Sequence, residues 1–124
     1  MAVPGINAVL TGGEVKAAIR ELVTDIRFAQ QMAMGEGREY YIYFNKHIQL
    51  YQISYARHPI NIIVKQVYFP EGLTLLGTNF KGDTLSFNVM GAPSAGGTIT
   101  LKEKQGKQVE ITVLPATGRV RVYR

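Results

Sequence analysis

The chain has 124 residues, of which 46% are apolar and 19% are charged, a composition typical of one folded domain and not of a disordered segment. It contains no cysteine, which excludes disulfides and cysteine-ligated metal sites. The formal net charge is +5, and most of the excess lies from Lys102 onward. This charge either serves solubility or favours an anionic partner such as nucleic acid or acidic lipid.

One amphipathic helix is predicted over residues 11–34. Thr11 stands three residues before Glu14, the spacing of a capping box, and Gly35 and Gly37 supply a stop. Apolar residues then recur with the helical period, at Val15, Ala18, Ile19, Leu22, Val23, Ile26, Ala29 and Ala33. The opposite face is predicted to carry Lys16, Arg20, Asp25, Arg27 and Gln31. Because these charges are of both signs, the pattern favours packing against a core over binding to a membrane surface.

The remainder of the chain, about 39–124, has the alternation of β-strands. Strands are predicted at 40–44, 48–53, 62–69, 73–76, 85–89, 98–102, 109–113 and 119–123. Short turns rich in Gly, Pro and Asn separate them. The expected fold class is α+β: one N-terminal helix packed on antiparallel sheets, with about eight short strands in two small sheets. We expect a single domain spanning residues 1–124.

Motifs that carry catalysis are missing from the sequence. His47 falls in a predicted turn and His58 in a loop, and their spacing does not match a metal site. Ser54, Ser86 and Ser94 have no nucleophile-elbow context. The glycine clusters lack the strand–loop–helix pattern of a phosphate loop. We therefore expect no catalytic residues, no metal, no cofactor and no enzymatic activity.

Six basic side chains form the C-terminal candidate site. They are Lys102, Lys104, Lys107, Arg119, Arg121 and Arg124. Arg119 and Arg121 share one face of the last predicted strand, with Cα atoms about 6.5–7 Å apart. That separation lets two guanidinium groups contact neighbouring phosphates of a DNA strand. The alternative is a charged edge strand that discourages aggregation.

The segments 22–33, 87–93 with 97–101, and 118–121 carry sequence motifs that resemble one known family, the GspH/FimT family of minor pseudopilins. The helical segment 22–33, Leu-Val-Thr-Asp-Ile-Arg-Phe-Ala-Gln-Gln-Met-Ala, is similar to the family helix. The segment 87–93, Phe-Asn-Val-Met-Gly-Ala-Pro, and the strand 97–101 resemble the family's Phe-x-x-x-Gly-x-Pro turn and the strand after it. The ending 118–121, Gly-Arg-Val-Arg, resembles the family's Gly-Arg-x-Arg stretch. Their common order and spacing extend the resemblance over the chain from Ala2.

The resemblance implies a pilin-like fold and a structural role. Family members are subunits of type IV pili or of the type II secretion pseudopilus, and their partners are other pilin or pseudopilin subunits. They are made with a leader that a prepilin peptidase cleaves, leaving a methylated N-terminus, and with an apolar helix that anchors them in the inner membrane. The run 2–6 resembles the end of that helix, so we expect a membrane segment upstream of Met1. The implied location is the cell envelope, in a membrane-anchored form and then in an extracytoplasmic fibre.

The resemblance also implies a ligand. In the FimT-like branch the Gly-Arg-x-Arg ending is linked with DNA binding during natural transformation. Gly118, Arg119 and Arg121 match that motif, which implies double-stranded DNA as a partner and a role in DNA uptake. Arg124 and the three lysines would extend the surface, although the motif does not include them. The alternative is a type II secretion pseudopilin with a purely structural role.

Overall fold

The computed structural model describes residues 4–124, with side chains from Gly13 onward. One helix precedes eight strands. The helix is α1 (Pro4–Glu36), and the strands are β1 (Tyr40–Asn45), β2 (Leu50–Tyr55), β3 (Ile62–Tyr68), β4 (Leu73–Thr78), β5 (Thr84–Phe87), β6 (Gly97–Glu103), β7 (Gln108–Val113) and β8 (Val120–Tyr123).

The strands form two antiparallel sheets of four. The first sheet has the order β3-β2-β1-β5 and the second has the order β4-β6-β7-β8. The edge strands of the first sheet are therefore β3 and β5, and those of the second sheet are β4 and β8. The predicted fold class, a helix on two small antiparallel sheets, is confirmed.

Helix α1 begins earlier than predicted. It runs from Pro4 through Gly12 and Gly13, so the predicted start at Thr11 is wrong. Each glycine costs a helix only about 1 kcal/mol, whereas proline suits a first helical position because its missing N–H is unpaired there anyway. The predicted stop is close: Gly37, at φ +66°, donates its N–H to the Ala33 carbonyl at 3.0 Å, which is a left-handed C-terminal cap.

The prediction that residues 2–6 are the end of an apolar membrane helix concerns side chains that lie outside the described part of the chain. Within residues 4–124, no helix combines the length and hydropathy needed to cross a bilayer.

The core lies where α1 meets the inner faces of both sheets. The helix contributes Leu22, Ile26, Ala29 and Ala33, all fully buried. The sheets contribute alternate residues, as the strand pleat requires; they include Tyr40, Ile42, Phe44, Ile53, Leu85, Phe87, Ile99, Leu101 and Ile111. One cluster thus joins the helix to both sheets.

Asp25 departs from its predicted exposed position. It is only 5% exposed, and its carboxylate accepts hydrogen bonds from the Tyr51 hydroxyl at 2.6 Å and the Lys65 ammonium at 3.0 Å. Lys65 also contacts Glu21 at 3.1 Å. Partial burial alone would lower the pKa of Lys65, but the hydrogen bonds and charges of Asp25 and Glu21 outweigh it and raise that pKa. The network fastens α1 to β2 and β3.

A side chain joins the two sheets at the edge of β4. Gln49, in the turn between β1 and β2, accepts a hydrogen bond from the Leu75 N–H at 2.7 Å and donates one to the Leu75 carbonyl at 3.0 Å. The backbone of Gln49 has φ +57°, an uncommon conformation for a residue with a side chain. The contact falls beside the register shift between Leu75 and Gly77. Gln49 thus occupies a position that a neighbouring strand would otherwise take.

Candidate nucleic-acid interface

Arg119 and Arg121 lie at the open edge of the second sheet. Strand β8 pairs with β7, Arg121 opposite Thr112 and Val120 opposite Val113. Val120 is buried, whereas both arginines are exposed. Val122, which was predicted to share a face with Val120, is 40% exposed, and Arg119 lies one residue before the start of β8. Neither arginine has a carboxylate within ion-pair distance in the described residues. Their guanidinium groups are therefore available to an anionic ligand.

Gly118 is a tightly packed glycine. It is buried and has φ +73°, a region that glycine adopts without strain. A Cβ atom at this position would lie 2.8 Å from Nε2 of Gln30 and 3.1 Å from Cε1 of Phe87. The chain therefore passes directly over α1 and β5 immediately before Arg119. This packing fixes the position of the Arg119 backbone.

The side chain of Gln30 binds two turns of the chain. Its Nε2 donates to the Thr117 carbonyl and to the Gly91 carbonyl, both at 2.9 Å. Sequence reasoning did not single out Gln30. Its one signal is a polar residue at the border of the helix's apolar stripe, where a side chain can reach the neighbouring loops.

The segment 87–93 forms a compact loop against the same part of the helix. Asn88 donates its N–H to the Ala92 carbonyl at 3.0 Å, and its side-chain Oδ1 accepts from the N–H groups of Met90 and Ala92. Gly91 has φ +78°, and a Cβ there would lie 2.7 Å from the sulfur of Met34. The three stretches that carry the family resemblance thus meet around Gln30.

The six predicted site residues fall into two groups. Arg119 and Arg121 lie at the β8 start, level with Thr112 and Leu114. Lys102, Lys104 and Lys107 are exposed at the opposite end, around the β6–β7 hairpin. Six residues of strand separate the two ends, which is about 20 Å.

Arg124 belongs with the hairpin group and is already paired. Its guanidinium donates to Oε2 of Glu103 at 3.0 Å, and Glu103 follows Lys102 in β6. This carboxylate offsets part of the positive charge at the hairpin. Among the six predicted residues, Arg119 and Arg121 therefore form the basic pair at the end of the sheet away from this carboxylate.

The outward face beside Arg121 is mostly uncharged. Thr112 lies opposite Arg121 and approaches Thr98 of β6, with hydroxyl oxygens 3.2 Å apart. An open groove of about 560 Å³ follows on the same sheet and is lined by polar residues that include Thr100 and Glu110. Among the residues described, no three His, Cys, Asp or Glu side chains cluster to hold a metal ion.

The family model for the type II transport protein GspH matches residues 18–117. The chain therefore belongs to the GspH family. Membership makes it a minor pilin or pseudopilin, of a type IV pilus or a type II secretion system, that assembles with other such subunits in the cell envelope. The matched range ends one residue before Gly118, so it does not include the arginine pair.

Solved structures share the fold at low sequence identity. The minor pseudopilin EpsH from the type 2 secretion system of Vibrio cholerae is 14% identical, with a TM-score of 0.68 over 89% of this chain and 96% of that one. The type IV minor pilin FimU of Pseudomonas aeruginosa is 19% identical, with a TM-score of 0.72 over 90% of each chain. A search of curated protein sequences found no match.

Proposed function

We propose that this chain is the globular domain of a type IV minor pilin that binds double-stranded DNA through Arg119 and Arg121 and serves DNA uptake in natural transformation. Its role is structural and ligand-binding, without catalysis. An apolar helix upstream, exposed by a prepilin peptidase, anchors it in the inner membrane before assembly. Family membership and the run 2–6 support the anchor.

The observation that carries the proposal is the state of the two arginines. Both are exposed and have no carboxylate within 4.0 Å in the described residues. Extended backbone geometry would place the Cα atoms of two residues at this spacing about 6.5–7 Å apart. Arginine contacts phosphate through two parallel N–H groups. Such contacts recognise the backbone and not the bases, so we expect binding that depends little on sequence.

The direct test is titration of a fluorescent DNA duplex with the parent and with Arg119→Ala/Arg121→Ala, at about 50 and about 200 mM salt. We expect the parent to bind and the double variant to lose binding. A matched control, Arg57→Gln/Lys81→Gln, removes the same charge from two exposed turns and should bind like the parent. Circular dichroism checks that each variant is folded.

Two results would contradict the proposal. Absence of binding by the parent at low salt would remove DNA as a ligand. Binding that persists in Arg119→Ala/Arg121→Ala but is lost in Lys104→Ala/Lys107→Ala would move the site to the hairpin. Neither result would affect the family assignment.

A second candidate function is a minor pseudopilin of a type II secretion system with a structural role alone. The name of the matching family, a type II transport protein, favours it. This candidate predicts that the parent fails to bind DNA at any salt concentration and that alanine at Arg119 and Arg121 leaves fibre assembly intact.

A further inference from the structure

The charged residues of α1 are segregated by sign onto two flanks of the helix. At about 100° per residue, Lys16, Arg20 and Arg27 fall within a sector of about 40°, which we call the basic flank. The acidic residues occupy a second sector on the other side of the buried stripe; they are Glu14, Glu21, Asp25 and Glu36. The exposed face of the helix was predicted to carry charges of both signs. In the structure the basic and acidic residues lie on separate flanks.

Contacts identify what each flank faces. The acidic flank lies toward the first sheet, because Asp25 and Glu21 bind Lys65 of β3. Gln30 lies between the buried stripe and the basic flank, and it binds the Thr117 and Gly91 carbonyls. The basic flank therefore lies on the side of α1 that faces the approach to Arg119.

The basic flank is also uncompensated. Lys16, Arg20 and Arg27 are exposed, and no carboxylate lies within 4.0 Å of any of them in residues 13–124. None has an acidic neighbour three or four residues away on the helix, and Lys16 and Arg20 are four apart, an arrangement that costs an isolated helix a few tenths of a kcal/mol.

The two turns that Gln30 binds carry no charged residue. They are residues 88–91 and 114–118, which contain the Gly91 and Thr117 carbonyls that accept from Gln30. The basic flank extends about 16 Å along the helix axis, and Arg119 directly follows the second of these turns.

We infer that the basic flank and the arginine pair form one continuous track for the phosphate backbone of a DNA duplex. This inference rests on the proposed function and adds residues to its site. The two parts are held in register by Gln30 and by the close packing of Gly118, so the ligand meets a preformed surface. A positive surface without internal compensation attracts a polyanion over its whole length.

The test measures DNA affinity and its salt dependence for Arg20→Gln/Arg27→Gln, because glutamine preserves helix propensity. We expect the Kd to rise roughly tenfold at low salt, and the slope of log K against log salt to become shallower by about 2. The control Arg57→Gln/Lys81→Gln should match the parent in both quantities.

The outcomes separate this inference from the proposed function. If Arg20→Gln/Arg27→Gln binds like the parent while Arg119→Ala/Arg121→Ala does not, the arginine pair is a DNA site and the track is refuted. If the parent binds no DNA, both fail. A parallel measurement uses vesicles containing phosphatidylglycerol. Loss of vesicle binding in Arg20→Gln/Arg27→Gln, with unchanged DNA affinity, would assign the flank to membrane lipid and overturn the track.

Discussion

Gly118 illustrates how one residue determines the geometry of a binding surface. Its φ of +73° and the contact of its backbone with Gln30 leave no room for a side chain. From the sequence, Gly118 is only the first residue of a short motif. The structure gives a physical reason for glycine there, since the chain must turn and touch the helix immediately before Arg119.

We predict that Gly118→Ala destabilises the protein by more than backbone strain alone. Alanine in the left-handed region costs about 1–2 kcal/mol, and the new methyl group would displace the Gln30 amide and weaken its two hydrogen bonds, each contributing about 0.5–1.5 kcal/mol. Denaturant unfolding measures the free energy of unfolding.

Gly82→Ala is the matched control for this prediction. Gly82 has φ +63°, with open space around the position of a Cβ, so the substitution should show strain alone. Equal losses of stability in the two variants would contradict a packing role for Gly118.

The six basic residues of the predicted site differ in their contacts, and the contacts of single residues explain the difference. Spacing along the predicted strand places Arg119 and Arg121 on one face, because strand alternation is local. In the structure both are exposed, and β8 begins at Val120, one residue after Arg119. The pairing of Arg124 with Glu103 spans 21 residues and two strands. Such a contact depends on the order of strands in the sheet, which the alternation pattern does not contain.

At the scale of elements, α1 is attached to the first sheet by a polar network and to both sheets by an apolar stripe. The stripe and the strands were predictable, since periods of 3.6 and 2 are direct consequences of helix and strand geometry. The start of the helix was not, because two glycines in succession look like a boundary in sequence. The predicted exposed position of Asp25 is wrong because its partners, the buried Tyr51 and the partly exposed Lys65, come from strands far along the chain.

We predict that Tyr51→Phe lowers the free energy of unfolding by about 1–3 kcal/mol at neutral pH. The substitution removes the hydroxyl that donates to the buried Asp25 carboxylate and leaves that oxygen with an unmet hydrogen bond. The measurement is a denaturant titration monitored by circular dichroism.

Tyr41→Phe provides the comparison. The Tyr41 hydroxyl is 3.5 Å from Glu39 in an exposed contact, so its loss should change stability by less than about 0.5 kcal/mol. A loss in Tyr51→Phe no larger than that in Tyr41→Phe would show that the Tyr51–Asp25 hydrogen bond contributes nothing to the attachment of α1.

For the whole molecule, the buried tyrosines make the free energy of unfolding depend on pH in the alkaline range. Burial, together with a hydrogen bond to Glu36 at 2.6 Å, raises the pKa of Tyr40 to about 12. Burial and the Asp25 carboxylate also raise the pKa of Tyr51. In the unfolded chain both phenols have pKa values of about 10, so the folded state holds these protons more tightly.

We predict that stability is constant with respect to these groups below pH 10 and falls as the pH rises from about 10 to about 12. In this range the unfolded chain releases the Tyr40 proton while the folded chain retains it, which favours unfolding. Unfolding free energies measured across this range should fall less steeply in Tyr40→Phe. An unchanged slope would show that Tyr40 ionises as easily in the fold as in the open chain.

The Gln49 contact has a consequence for how copies of this chain can associate. Exposed edge strands offer free N–H and C=O groups and invite side-by-side growth of sheets, which leads to aggregates. At Leu75 those groups are already bound within the molecule. A subunit that is packed at high density in a fibre needs specific contacts with its neighbours. It also needs protection from non-specific pairing of edge strands. By closing this position, one glutamine favours association through folded surfaces over the merging of sheets.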